Sequence, residues 1–340
     1  MNRVVAILSF FVLLLSCNRE DNVDTLPFDN PEISFEIPKG FPEFNAAVTQ
    51  NKPTKFGVAL GERLFHETKL SGNNTISCAS CHHQDKAFAD HLPQAVGIHG
   101  RVGLRNTPPL QNLAFMKFYN WDGNKLSLES QALVPIITHE EMNSSILDVI
   151  GKLQTDPEYR HLFEQTFGDE GITADRIYRS LAQYQYTLIS ADSKYDKVMR
   201  GEGEFFTKSE ERGYQIFQQK CESCHATPLF TDQTFRNIGF PLNPNIEEAG
   251  RARVTGNITD LSSFRIPSLR NAALTAPYGS FGQFETLQAV LDYLDEGVLE
   301  SDNLDPILKA NGNRIPLSKQ EKVDIISFIN TLTDSSFIAR

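Results

Sequence analysis

The chain has 340 residues, 40% of them hydrophobic and 22% charged, with a formal net charge of −11. That composition excludes low-complexity disorder and leaves room for about two domains able to fold without disulfide staples. It also argues against nucleic acid as the main partner. The chain's five cysteines cannot all pair with one another, so at least one has another role.

In chain order, Arg3 is followed by an apolar run from Val4 to Leu15, broken only by Ser9. The run is short for a membrane span and suits the core of a signal peptide, residues 1–16. It ends Leu14-Leu15-Ser16-Cys17, which resembles a bacterial lipobox. In that pattern the chain is cut before the cysteine, which then carries lipid. The resemblance implies lipidation at Cys17 and a lipoprotein on the periplasmic side of a bacterial membrane, tethered only by its N-terminal lipid. The competing reading is a plain signal peptide with an incidental cysteine. Residues 17–50 hold many Asp, Asn, Glu and Pro without sustained periodicity, and read as a tether with an extended lead-in.

Two Cys-x-x-Cys-His motifs follow: Cys78-Ala-Ser-Cys81-His82 and Cys221-Glu-Ser-Cys224-His225. This is the attachment pattern for c-type haem. Two thiols add to the two porphyrin vinyl groups, and the adjacent histidine supplies the proximal nitrogen to the iron. A thioredoxin-like redox pair does not require the histidine. Zinc would want four ligands together, and each motif offers three. The expectation is two covalently bound haem c groups, with His82 and His225 as proximal iron ligands.

The motifs sit inside a longer repeat. Gly61, Leu64 and Phe65 parallel Gly213, Ile216 and Phe217. Pro108, Leu110, Asn112 and Ala114 parallel Pro267, Leu269, Asn271 and Ala273, and Gly123, Ser127 and Leu128 parallel Gly282, Thr286 and Leu287. The order predicts duplication of one cytochrome-c-like unit. The fold class expected is mostly α, with long loops and two haem domains at residues 51–195 and 196–340. Ile177, Leu181, Tyr184 and Leu188 follow the helical period. Thr207-x-x-Glu210 and Ser318-x-x-Glu321 predict capping boxes. The second precedes Val323, Ile326 and Ile329, read as the apolar face of a C-terminal helix.

From about residue 50 to 335 the sequence resembles the bacterial di-haem cytochrome c peroxidases and the related methylamine-utilisation di-haem oxidases. The resemblance rests on Leu60-Gly-Glu-Arg-Leu-Phe65, Leu70-Ser-Gly72, Ser77-Cys-Ala-Ser-Cys-His82, Arg105-Asn-Thr-Pro108, Trp121-Asp-Gly123, Glu129-Ser-Gln131, Glu141-Met142, Ile266-Pro-Ser-Leu-Arg-Asn271 and Thr275-Ala-Pro-Tyr278. It implies reduction of hydrogen peroxide to water at the N-terminal haem. Electrons would enter at the C-terminal haem from a small cytochrome c or cupredoxin. By position it implies that His99 is the removable distal ligand of the N-terminal iron, and Glu141 the distal acid/base. It makes Trp121 the aromatic between the haems, and Asn106, Thr275 and Pro277 a calcium site. Plainer readings are a surface loop histidine, a solvated glutamate, a core tryptophan and ordinary turn residues. Homodimers are common in the family.

The pattern breaks at the second haem. Ser280 stands where family members usually carry histidine, and Leu294 where they carry a Met or Tyr ligand. No histidine follows His225, and the methionines are Met1, Met116, Met142 and Met199. Tyr278 and Tyr293 remain as candidates, although Tyr293 is one residue out of place, a rotation of about 100° on a helix. The competing functions are a di-haem oxidase acting on a protein or organic substrate, and a non-enzymatic di-haem carrier or sensor.

Overall fold

The computed structural model describes residues 28–339; the expected signal peptide and Cys17 lie outside them. Residues 28–50, expected within the tether, lie against the body of the protein. Phe35 stacks on Phe44 at 4.4 Å, and Phe44 on Phe115 at 5.0 Å. Asn45 donates its backbone N–H to Ala114 and caps helix α1 (Ala46–Gln50).

The body is mostly helical. Helices α2 (Lys55–Phe65), α3 (Leu128–Ile137), α4 (Ile146–Gln154), α5 (Pro157–Phe167) and α6 (Ala174–Tyr186) build the first half. Helices α7 (Lys194–Arg200), α8 (Lys208–Lys220), α9 (Ala252–Thr255), α10 (Leu287–Glu296), α11 (Pro306–Ala310), α12 (Lys319–Asn330) and α13 (Ser335–Ile338) follow. The sheet among the described residues is one antiparallel pair, β1 (Phe235–Arg236) and β2 (Phe264–Arg265). Among the described residues no helix is long and apolar enough to cross a membrane. Both predicted capping boxes form, at Thr207–Glu210 and Ser318–Glu321.

Each half is organised by a pair of crossed helices. α2 packs on α6, and α8 on α12. Glycine sets both crossings. A Cβ on Gly61 would lie 1.9 Å from the Ser180 carbonyl oxygen, and one on Gly213 would lie 1.9 Å from that of Asp324. The backbones therefore approach more closely than any side chain allows. Phe65 and Phe217, four residues on, are both fully buried.

The loops after the helix pairs also correspond. Asn112 and Asn271 adopt left-handed backbone, as do Gly123 and Gly282. The bridge Tyr119–Lys125 matches Tyr278–Phe284, and Ser127 caps α3 as Thr286 caps α10. Where the two loops meet, the hydrogen bonds are reciprocal. Asn106 N–H donates to Ser280 O at 2.9 Å, and Arg265 N–H donates to Trp121 O at 2.8 Å. Residues 106–128 and 265–287 run in one register, so these bonds join corresponding positions in opposite directions.

The expected face of α12 is corrected. Val323 is 51% exposed, whereas Ile325, Phe328 and Ile329 are buried. Phe328 completes the i, i+3, i+4 stripe that faces α8. The same side also buries Lys322, ion-paired to Asp292 and Asp295 at 2.8 Å each, and Asp324, paired to Arg212 at 2.8 Å. Charged residues on the inner face hid it from a reading of hydrophobic period.

Candidate functional site

Two cavities, of about 350 and 260 Å³, each contain one Cys-x-x-Cys-His motif in the wall. The motif lies on a tight turn in both. In the first, Cys78–Ser80 form a 3₁₀ turn closed by Ser77 and Ser80. In the second, the turn follows directly on the C-terminal end of α8.

The histidines are held alike. His82 Nδ1 lies 2.9 Å from Phe88 O, and His225 Nδ1 lies 3.2 Å from both Phe230 O and Pro267 O. A carbonyl partner fixes Nδ1 as the donor and leaves Nε2 to bind a metal. Burial holds both imidazoles below their ordinary range, in the neutral, ligating form. The four cysteines are not joined in disulfides. Burial pushes the thiols of Cys78, Cys81 and Cys221 up to about 12, which favours the protonated thiol. Among the described residues no three His, Cys, Asp or Glu side chains converge to hold a metal ion. That disfavours zinc. Two half-buried unpaired thiols, one oriented imidazole and a cavity fit haem in each place.

The first cavity also contains Glu141, Met142 and Gln131 in its wall. Glu141 lies on the turn after α3, its N–H donating to Thr138 O at 3.1 Å. Its carbonyl accepts from Ile98 N–H at 2.9 Å, which ties it to the 97–100 loop. A Cβ on Gly97 would lie 2.1 Å from Glu140 O and 2.4 Å from Glu141 O, so only glycine permits this contact. Burial, then the neighbouring Glu140 charge, raise the Glu141 carboxyl to about 7. A group poised there can both take and give a proton near neutrality.

His99 is not brought to this cavity. It is exposed, has left-handed backbone (φ 57°) and is absent from the lining. The conformation seen has the imidazole outside the cavity whose wall carries Glu141.

Trp121 lines both cavities, as do Asn106, Pro109 and Arg265. Its indole N–H donates to Asn106 O at 2.9 Å. The next residue, Asp122, is fully buried, 3.0 Å from Arg105 and 2.9 Å from Arg253. Burial works against its charge, yet the two guanidinium groups hold the carboxyl below the usual range. This cluster anchors the loop that carries Trp121.

Asn106, Thr275 and Pro277 all line the second cavity. The Asn106 amide nitrogen donates to Leu92 O at 2.9 Å, which points its amide oxygen elsewhere. Leu294 lines the second cavity too, but Tyr293 does not. The Tyr293 hydroxyl donates to Gly239 O at 3.0 Å, and its ring packs on Phe240 and Phe284. Tyr293 is thereby removed as a candidate ligand in this conformation.

Sequence reasoning missed Arg265. It lines both cavities with no carboxylate at ion-pair distance among the described residues, and burial lowers its guanidinium to about 10. A cation left so between two cavities fits the propionate groups of haem. No motif marks it, whereas nearby Arg270, inside a quoted motif, is structural: it is fully buried and paired to Asp196 at 2.8 Å. Glu129, in another quoted motif, is likewise a tie, accepting from Asn51 and Tyr186. His91 also has a partner, Leu274 O at 2.6 Å, across the two halves.

A family model described as di-haem cytochrome c peroxidase matches residues 55–204. The methylamine utilization protein MauG of Methylophilus methylotrophus is 32% identical over 308 residues, spanning 89% of this chain and 88% of that protein. The cytochrome c551 peroxidase of Nitrosomonas europaea is 31% identical, over 81% of this chain and 79% of that one. The crystal structure of a MauG-like protein associated with microbial copper homeostasis superposes with a TM-score of 0.80 at 30% identity, covering 90% of this chain and 97% of that one.

Proposed function

The chain belongs to the di-haem cytochrome c peroxidase family, and we propose that it reduces hydrogen peroxide to water with electrons from a small cytochrome c or cupredoxin. The observation that carries this reading is Glu141. It is a half-buried carboxyl raised to about 7 in the wall of the cavity that holds His82.

Cys78 and Cys81 would tether one haem and Cys221 and Cys224 the other, and His82 and His225 would each supply a nitrogen to the iron. The bound haems supply the iron and the two electrons that cleave the O–O bond. Glu141 accepts the proton from one peroxide oxygen and returns it to the other, which leaves as water. The Phe88 carbonyl keeps His82 in the ligating tautomer. Gly97 and Ile98 hold the Glu141 backbone in place, and movement of the same loop would carry His99 toward or away from the cavity. Trp121, in the wall common to both cavities, is placed to relay electrons. Arg265 would neutralise propionates from either side.

The corresponding helix crossings and the reciprocal bonds at residues 106, 121, 265 and 280 support duplication of a haem-domain unit, 51–195 and 196–340. Asn106, Thr275 and Pro277 offer neutral oxygens suited to calcium between the halves. Export and lipidation at Cys17 rest on the N-terminal sequence. One observation favours an oxidase acting on a protein or organic substrate instead: the second cavity wall carries Leu294 and no thioether.

The test is to mix the di-haem protein, oxidised and half-reduced, with peroxide and a reduced cytochrome c. Peroxide consumption coupled to donor oxidation is expected. A lasting oxidised state without donor turnover would transfer the assignment to the oxidase reading. No reaction in either state would leave a carrier.

A further inference from the structure

With Cys221 and Cys224 taken up in tethering the haem, His225 is the one side chain on the second cavity's lining left uncommitted and able to ligate haem iron. Such ligands are imidazole, thioether, thiolate or phenolate, and less often amine or carboxylate. The one imidazole there is His225, and no methionine lines the cavity. Met142 lines the first cavity, Met116 is buried in the N-terminal core, and Met199 is exposed on α7.

The oxygens and the amine are committed elsewhere. The Tyr278 hydroxyl donates to Ala272 O at 2.8 Å. Lys220 Nζ binds Pro316 O at 2.8 Å and Glu321 at 2.6 Å. The carboxylate on the lining, Asp305, pairs with Arg236 at 2.9 Å and caps α11. The wall from α10 presents Val290, Leu291 and Leu294. Register explains part of this: Val290 and Leu294 correspond to Gln131 and Pro135, which line the first cavity from α3.

We propose that an iron held by His225 keeps one axial position without a protein ligand, beneath an apolar wall, and that this position binds small neutral diatomic ligands such as carbon monoxide. The inference rests on the haem reading of the second cavity. Neutral ligands need no buried charge compensation, so the apolar wall of Val290, Leu291 and Leu294 costs them little. The only carboxylate on the lining is tied to Arg236, so peroxide bound there finds no free proton carrier. Binding is simple coordination, with no electron or proton transferred.

The test uses the fully reduced di-haem protein titrated with carbon monoxide, followed by absorption and resonance Raman. Wild type is expected to bind one more carbon monoxide per chain than Leu294→Met, whose thioether fills the position. Leu294→Ile, of matched volume, is expected to behave as wild type. Equal stoichiometry in all three, with a six-coordinate low-spin second haem in wild type, overturns the proposal. Fewer than two covalent haems per chain, by haemochrome assay, would instead overturn the reading on which it stands.

Discussion

The two cavities are built on one scaffold and differ at a few wall positions. Each has a helix pair crossed at a glycine, a buried phenylalanine four residues on, a motif turn and a histidine held through Nδ1 by a carbonyl. The far walls diverge. The first carries Gln131, Glu141 and Met142; the second carries Val290, Leu291 and Leu294. The scaffold serves to hold a cofactor, and the wall decides what that cofactor can do. On the proposed reading, proton chemistry belongs to the first cavity.

The sharpest break of this contrast is Glu141→Gln. Peroxide turnover should fall by about 10²–10⁴-fold, the usual worth of a positioned acid/base. The absorption of the second haem should not change. Turnover within threefold of wild type would end the distinction between the walls.

The likeness of the scaffolds is tested by Phe65→Ala and Phe217→Ala. Each removes a buried ring at a corresponding place and should cost roughly 3–5 kcal/mol in urea unfolding. Losses differing by more than 2 kcal/mol would show that the halves do not rely on these positions equally.

A smaller effect is expected from Gly97→Ala. The added methyl meets the Glu140 and Glu141 carbonyls, and the backbone must shift, at about 1–3 kcal/mol. Turnover should drop while carbon monoxide binding in the second cavity stays as in wild type. Unchanged turnover and stability would mean that the loop does not position Glu141.

The gentlest test is pH. The Glu141 carboxyl is raised from 4.5 to about 7. Peroxide turnover should therefore rise as pH passes through about 7 and the proton acceptor forms, with no such limb in Glu141→Gln. The stability sign is opposite. A raised carboxyl contributes stability that is full below 4.5 and lost as pH climbs through about 7. Thermal melts of wild type against Glu141→Gln over that window measure it.

Much of this was legible in the sequence because it is written in local, short-range chemistry. The Cys-x-x-Cys-His turns, the capping boxes at Thr207 and Ser318 and the paired asparagines at 112 and 271 need only neighbours in the chain. What escaped depends on long-range placement. The inner face of α12 carries Lys322 and Asp324 with partners far away in sequence, which no periodicity reveals. Tyr293 and Leu294 are adjacent, and only the orientation of α10 shows which one meets the cavity. Arg265 has no motif at all; its meaning comes from standing between two holes. The exposed position of His99 is a property of one backbone conformation, and a family pattern carries no such information.

The reciprocal bonds from Asn106 to Ser280 and from Arg265 to Trp121 have a consequence for how the molecule can be taken apart. They place the side chains of one loop in the wall of the other's cavity, so the two sites own a partition in common. A substitution at Trp121 or Arg265 is therefore felt from both sides at once. Paired with a change in either cavity, it should yield non-additive losses, as for residues in direct contact. The far walls are free to differ, as they do at Pro135 and Leu294, while the partition has to satisfy two tenants with one set of residues.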